Sequence, residues 1–156
     1  MSKLLKILPL IVIFLGGIGY AILSDPGLPA AGLFKSTLKE FSQYSKQLDA
    51  QFKTSQSLSP SNKSLFVKFA AGGNPLQLSQ ATEQYTVKMM VSNMFVTLLF
   101  DDADGPLGNK SIILEPFIED SVVKWKCING SVLVRVRTKN CRLGYGHSSN
   151  EMSNLD

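Results

Sequence analysis

The stretch from Ser111 to Arg142 is the most informative part of the chain, and it reads SIILEPFIEDSVVKWKCINGSVLVRVRTKNCR. It holds both cysteines and the single tryptophan. From Val123 to Arg137, apolar side chains alternate with other residues on both sides of Asn129 and Gly130, as in a strand with one buried face. Because Asn and Gly tolerate positive φ, this pair is typical of a two-residue type I′ turn. The stretch therefore predicts a β-hairpin that turns at Asn129 and Gly130.

The two cysteines, Cys127 and Cys141, are candidates for a disulfide. A cysteine pair in a chain with an apolar N-terminal run favours an oxidising compartment, where such pairs form bridges. In the predicted hairpin Cys127 lies near Val132, so Cys141 reaches it only if the chain after Arg137 folds back. Two buried free thiols are the alternative. No metal site is expected, because two cysteines and one distant histidine do not supply four ligands.

The order of residues around these cysteines resembles the C-terminal half of type IV pilins. In that family a strand ending in proline precedes a Trp-x-Cys strand, and a second cysteine, often followed by arginine, closes a disulfide-bonded loop. The matching positions here are Leu114, Pro116, Trp125, Cys127, Cys141 and Arg142. The resemblance implies a pilin-like fold, a Cys127–Cys141 bridge, and a non-enzymatic function in pilus structure, assembly or cell adhesion.

The N-terminal region differs from that family, whose mature chains carry a glutamate at their fifth position. Here two lysines precede an apolar run from Ile7 to Leu23. The run is near the lower limit of roughly 17–25 residues for crossing a bilayer, and the lysines favour a cytoplasmic N-terminus. An uncleaved anchor and a signal peptide cut after Ala21 both agree with the sequence. Residues 1–24 are therefore interpreted as a membrane anchor or signal segment.

The next segments predict a linker and a helix. Residues 25–32 are rich in proline and glycine, which disfavour a helix and predict a linker. Residues 33–53 place apolar side chains at helical spacing and predict an amphipathic helix that packs on a sheet. The residues of this stripe are Phe34, Leu38, Phe41, Ser45, Leu48 and Phe52.

Strands are predicted for most of the remaining chain. Residues 85–92 and 95–101 predict two strands with a turn at Asn93, and residues 65–70 predict a short strand or a turn of helix. Residues 111–117 predict a strand that Pro116 breaks near its end. Residues 143–156 predict a disordered tail. The expected fold is α+β: an N-terminal membrane segment, then a domain over residues 33–142 with one amphipathic helix on an antiparallel sheet of about four strands.

No arrangement of residues in the sequence predicts catalysis or a cofactor. The only histidine, His147, lies in the predicted tail, where nothing would hold it as a catalytic base. The net charge is +4. The basic side chains of the hairpin region are candidates for binding an anionic partner such as DNA, although a solvated sheet face is the simpler interpretation. These residues are Lys124, Lys126, Arg135, Arg137 and Arg142.

The expected partners are other pilin subunits or pilus assembly proteins, together with the membrane. The residues expected to matter are structural: Trp125 and Pro116 in the sheet, and Phe41 and Leu48 on the helix. The expected location is the inner membrane with the domain in the periplasm, or a surface pilus. The alternative function is a membrane-anchored periplasmic accessory or binding module with a pilin-like fold that never enters a filament.

Overall fold

The structure is a computed structural model that describes residues 27–70 and 82–155. The predicted membrane or signal segment, residues 1–24, lies outside the described residues. Within the described ranges, no helix combines the length and the apolar character needed to cross a bilayer.

One long helix and a six-stranded antiparallel sheet form most of the described chain. The strands follow one another in the sheet in chain order, so each pairs with its neighbours along the sequence. The elements are α1 (Gly27–Ser55), β1 (Ser61–Ala70), β2 (Thr82–Val91), β3 (Val96–Phe100), β4 (Ser111–Glu119), β5 (Val122–Asn129), a 3₁₀ turn (Val134–Val136), α2 (Lys139–Leu143), β6 (His147–Ser148) and α3 (Ser149–Ser153).

The stripe on α1 packs against the inner face of the sheet and forms the core with it. All six residues of the stripe are buried. Among them, Phe41 meets Trp125 of β5 edge-on, with 5.2 Å between the ring centroids. The sheet contributes buried apolar residues from each of β1 to β5, including Leu65, Val87, Leu98, Leu114 and Trp125.

Helix α1 begins earlier than predicted, so the linker proposed for residues 25–32 is wrong from Gly27 onward. Pro29 lies in the first turn, where backbone N–H groups have no partner within the helix, so its missing N–H costs nothing there. Ala30 and Leu33 are buried, and a Cβ on Gly32 would lie 2.4 Å from Phe69 Cε2. Contact with the sheet therefore stabilises a helical turn that its composition disfavours.

The predicted sheet of about four strands is wrong, because the sheet has six. The strands predicted at residues 85–92 and 95–101 are present as β2 and β3. The weak pattern at residues 65–70 belongs to a ten-residue strand, β1, which pairs with β2 from Ser61 opposite Val91 to Ala70 opposite Thr82. Backbone pairing with β2 extends this strand beyond its apolar residues, which the side-chain pattern alone does not reveal.

The predicted hairpin at Asn129 and Gly130 is also wrong. The two-residue turn lies one strand earlier, at Asp120 and Ser121, whose φ values are 51° and 65° and which join β4 to β5. Positive φ at both central residues is the signature of a type I′ turn. Asn129 is not in this conformation, and β5 ends there. The side of β5 that does not face β4 pairs with β6 from the C-terminal region, not with residues 131–137.

Pro116 lies inside β4, which continues to Glu119. The Phe100 N–H donates to the Lys110 carbonyl, so the even-numbered residues of β4 direct their backbone groups towards β3. Pairing with β3 ends at Leu114. The proline therefore lacks an N–H only where no neighbouring strand would accept it.

The predicted disordered tail, residues 143–156, is wrong for the part that the structure describes. His147 and Ser148 form β6, and α3 follows with a capping box between Ser148 and Glu151. Met152 is 1% exposed and belongs to the core. Met152, with Leu155 packed partly buried beside the core, and a few hydroxyl groups fix this segment, which its polar composition did not predict.

Candidate functional site

A disulfide joins Cys127 on β5 to Cys141 on α2, with 5.1 Å between the Cα atoms. The disulfide prediction is confirmed. The two cysteines are separated by 14 positions in sequence. The segment between them runs past the end of β5, through the 3₁₀ turn and into α2. Because residues 131–137 do not form a strand beside β5, the chain returns to Cys127 through α2.

The start of the closed segment is fixed to the first residue of β4. Val132 N–H donates to the Ser111 carbonyl at 3.1 Å, and the Ser131 hydroxyl accepts from Ser111 N–H at 2.8 Å. Gly130 has a φ of 130°, and a Cβ there would lie 2.3 Å from the Ser111 carbonyl oxygen. This close approach requires glycine. The Asn-Gly pair therefore lies where the chain leaves β5, and it does not form a hairpin turn.

Arg137 braces the same segment from inside. Its Nε and Nη2 atoms donate to the Val132 carbonyl at 3.1 and 2.9 Å, and Nη2 also donates to the Gly130 carbonyl at 3.1 Å. Burial lowers the pKa of this guanidinium. Val132 and Val136 are buried beside it. Arg137 was predicted to bind an anionic partner, but its Nε and Nη2 atoms donate to the protein's own backbone.

The other predicted basic residues are spread over three elements. Lys124 and Lys126 lie on β5, where Lys124 Nζ is 2.5 Å from Glu119 Oε2 and Lys126 Nζ is 2.7 Å from Glu115 Oε2. The hydrogen bond that Lys124 donates to Glu119 raises the pKa of Lys124. Arg135 lies in the 3₁₀ turn and Arg142 in α2, and both are exposed. The two ion pairs reduce the positive charge that would attract DNA.

Exposed apolar side chains accompany the exposed cations of this region. We define the loop surface as Ile128, Leu133, Val134, Arg135, Lys139, Arg142, Leu143 and Tyr145, all of them exposed. Tyr145 has the largest exposed fraction of these apolar residues, 66%. Exposed aromatic, aliphatic and arginine side chains on and beside a cross-linked segment are typical of a protein interaction surface. Of this surface, the sequence predicted only Arg135 and Arg142, as members of a basic patch in the hairpin region.

A buried polar cluster holds the C-terminal segment against α1. Asp49 Oδ1 accepts from Trp125 Nε1 at 2.8 Å, and its Oδ2 accepts from the Ser149 hydroxyl at 2.5 Å. The Ser149 hydroxyl also lies 2.6 Å from the Ser45 hydroxyl. Burial raises the pKa of the Asp49 carboxyl, and the bonds from Ser149 and Trp125 oppose that shift. These residues are far apart in sequence, so no local pattern predicts the cluster.

His147 lies near this cluster and is 4% exposed, so the prediction that it lies in a tail with nothing to hold it is wrong. Its Nε2 is 2.7 Å from the Thr138 hydroxyl. Burial lowers the pKa of the imidazole, while the negative charge of Glu151 acts in the opposite direction. The imidazole of His147 bonds Thr138, and Ser149 bonds Asp49 directly. Ser149, His147 and Asp49 therefore do not form a nucleophile–base–acid relay.

The described ranges contain no group of three or more His, Cys, Asp and Glu side chains that could hold a metal ion. Comparisons with protein-family models, curated proteins and solved structures found no match to this chain. The resemblance to type IV pilins therefore rests on the residues quoted above.

Proposed function

We propose that this chain is a pilin-like, non-catalytic subunit that acts in pilus structure, assembly or cell adhesion. The observation that carries the proposal is the Cys127–Cys141 bridge, which ties the Trp125 strand to the C-terminal segment on a helix-backed antiparallel sheet. These are the positions on which the resemblance depends. A structural disulfide also supports a location outside the cytoplasm.

The position of α1 in the chain supports the same proposal. The helix begins at Gly27, four residues after the apolar run ends at Leu23. A membrane-inserting run followed closely by a helix that packs on the sheet would hold the domain near the membrane surface or a filament axis. In this proposal the loop surface is the region that contacts other subunits or a cell surface.

The alternative is a membrane-anchored periplasmic accessory that does not enter a filament. The lack of a glutamate at the fifth position after a candidate cleavage site favours it, because pilin subunits carry that residue. Both functions place the domain outside the cytoplasm. They differ in whether the protein leaves the membrane.

Cell fractionation separates these functions. An epitope-tagged full chain is expressed in its own cells, and its amount is compared in sheared surface material, inner membrane and cytosol. Thiol alkylation before and after reduction reports the Cys127–Cys141 bridge in each fraction. A Cys127→Ser, Cys141→Ser double variant serves as the alkylation control.

A pilus subunit is expected in the sheared material with oxidised cysteines. Oxidised protein only in the inner membrane, with the domain open to protease from the periplasmic side, would assign the accessory function. Reduced protein in the cytosol would contradict both functions, because both require an oxidising compartment.

A further inference from the structure

Strand β1 forms one edge of the six-stranded sheet. It pairs with β2 along ten residues, from Ser61 to Ala70. Within residues 27–70 and 82–155, no backbone group pairs with its other side. A long edge strand with free N–H and C=O groups is a template for another strand.

The hydrogen-bond pattern identifies the backbone groups that face outward. Ser92 N–H donates to the Phe95 carbonyl and Asp101 N–H donates to the Thr86 carbonyl, so even-numbered β2 residues bond to β3. Odd-numbered β2 residues therefore bond to β1, and the register pairs them with odd-numbered β1 residues. The outward-facing residues of β1 are Asn62, Ser64, Phe66 and Lys68, and all four are exposed.

The side chains on the two faces of β1 define what an added strand would meet. On the outer face Phe66 is 58% exposed. On the inner face a groove of about 180 Å³ runs between β1 and α1, lined in part by Tyr44, Gln47, Gln51 and Lys63. Lys63 Nζ lies 5.2 Å from the centroid of the Tyr44 ring. None of the eight residues lining the groove is acidic.

The charge of β1 decides between two kinds of partner. The strand carries Lys63 and Lys68 and no acidic residue. Pairing with β1 of a second copy would bring four lysines together along one ladder, and lysines on an edge strand oppose such self-association. An acidic strand would meet complementary charge instead, with carboxylates next to Lys63 and an apolar side chain against Phe66.

We propose that the free edge of β1 binds an extended acidic segment of a partner protein by strand addition. Backbone hydrogen bonds to the outward-facing residues would supply affinity, and Lys63 and Phe66 would select the side chains. This proposal does not depend on the pilus assignment, since it rests on the edge, the groove and the charge of β1.

The test uses the full chain in detergent micelles and a fluorescent peptide that alternates valine and glutamate. Binding is measured by anisotropy. Two further peptides carry N-methyl groups, one on the valines and the other on the glutamates. An added strand bonds β1 through only one of these two sets, so one methylated peptide is expected to bind and the other to lose at least about tenfold in affinity. Equal binding of both would overturn the proposal, because it would show attraction by charge alone.

Two pairs of variants complete the test. Ser64→Pro removes an outward N–H without touching the ladder to β2 and is expected to weaken binding about tenfold, whereas Ser64→Ala leaves it unchanged. Lys63→Gln is expected to reduce the salt dependence of binding, with Lys110→Gln outside β1 as its control. Circular dichroism checks that Ser64→Pro folds, and the methylated peptides test the edge in the unaltered chain.

Three further results would overturn the proposal. The first is no binding of the acidic peptide by the unaltered chain. The second is equal binding of a peptide in which lysine replaces glutamate. The third is concentration-dependent dimerisation of the chain that Ser64→Pro abolishes and Ser64→Ala does not, which would assign the edge to a second copy.

Discussion

At the residue scale, Trp125 is held at two points of its side chain. Its ring meets Phe41 edge-on, and its indole N–H donates to Asp49 Oδ1 at 2.8 Å. Asp49 in turn accepts from Ser149 of the C-terminal segment. One indole therefore joins the sheet, the long helix and the end of the chain.

Replacing Trp125 with phenylalanine is expected to destabilise the fold by about 1–3 kcal/mol. The ring contact with Phe41 is largely kept, but the half-buried Asp49 carboxylate loses a donor. The free energy of unfolding from urea titrations measures the effect. Tyr145→Phe, at an exposed position, is the control and is expected to stay within about 0.5 kcal/mol of the unaltered chain. An equally small change for Trp125→Phe would show that the hydrogen bond contributes little.

The buried His147 predicts how stability depends on pH. Burial lowers its folded pKa below the ordinary value of 6.5, with Glu151 opposing the shift. Between these two pKa values the unfolded state binds more protons than the folded state. The stability from the neutral imidazole is thus complete above 6.5 and is lost as pH falls from 6.5 towards the lowered folded pKa.

Urea titrations between pH 8 and pH 5 test this dependence. As the pH is lowered, the free energy of unfolding is expected to decrease in the unaltered chain and to decrease less in His147→Gln. Because His147 is the only histidine, no other imidazole contributes. A Glu151→Gln variant, which removes the opposing charge, is expected to steepen the loss. Identical slopes in the unaltered chain and His147→Gln would contradict the burial of this ring.

At the element scale, α3 is short but packs its one large apolar side chain into the core. Met152 is 1% exposed, and the helix begins with a capping box. Met152→Ala is expected to cost about 2–5 kcal/mol, as for other buried truncations to alanine. Thermal or urea unfolding measures the loss, and Asn150→Ala on the exposed side of the same helix is the control. Equal stability of the two variants would show that α3 does not pack on the core.

The disulfide-closed segment makes a second prediction at this scale. Removing the bridge by Cys127→Ser with Cys141→Ser is expected to destabilise the fold by about 3 kcal/mol, because it frees a loop of about 15 residues in the unfolded state. Reductant is expected to lower the stability of the unaltered chain towards that of the double variant and to leave the double variant unchanged. If reductant does not affect the unaltered chain, the cross-link does not contribute as described.

At the scale of the whole molecule, one core connects α1, the sheet and the C-terminal segment. Buried residues of all three belong to a single cluster, from Ala30 near the start of α1 to Met152 in α3. We therefore expect one cooperative unfolding transition in the described region.

Two probes test this cooperativity in the full chain in detergent. Far-ultraviolet circular dichroism follows the helix, and tryptophan fluorescence follows Trp125 in β5. The two urea midpoints are expected to coincide, and Phe41→Ala is expected to lower both together, with a loss of about 3–5 kcal/mol. Separate midpoints would show that the helix and the sheet unfold independently.

Local sequence patterns predicted the elements whose side-chain pattern lies within one short stretch of the chain. The apolar stripe from Phe34 to Phe52 predicted the long helix, and the apolar, β-branched composition of residues 85–92 and 95–101 predicted β2 and β3. The same logic failed for Val132, Val134 and Val136. Only Val132 and Val136 are buried, while Val134 is exposed in a 3₁₀ turn. Three valines at alternating positions fit a strand in sequence, but β5 pairs with β6 on its free side instead.

The sequence by itself determined the amphipathic helix, two central strands and a cysteine pair able to bridge, because periodic apolar side chains and thiol chemistry are local properties. Only the tertiary structure decided the start of α1, the position of the type I′ turn, the path of residues 130–146 and the burial of His147 and Met152. Apart from the turn, these depend on contacts between residues apart in sequence, such as Gly32 with Phe69 or Asp49 with Ser149. No short stretch of sequence contains both halves of such a contact.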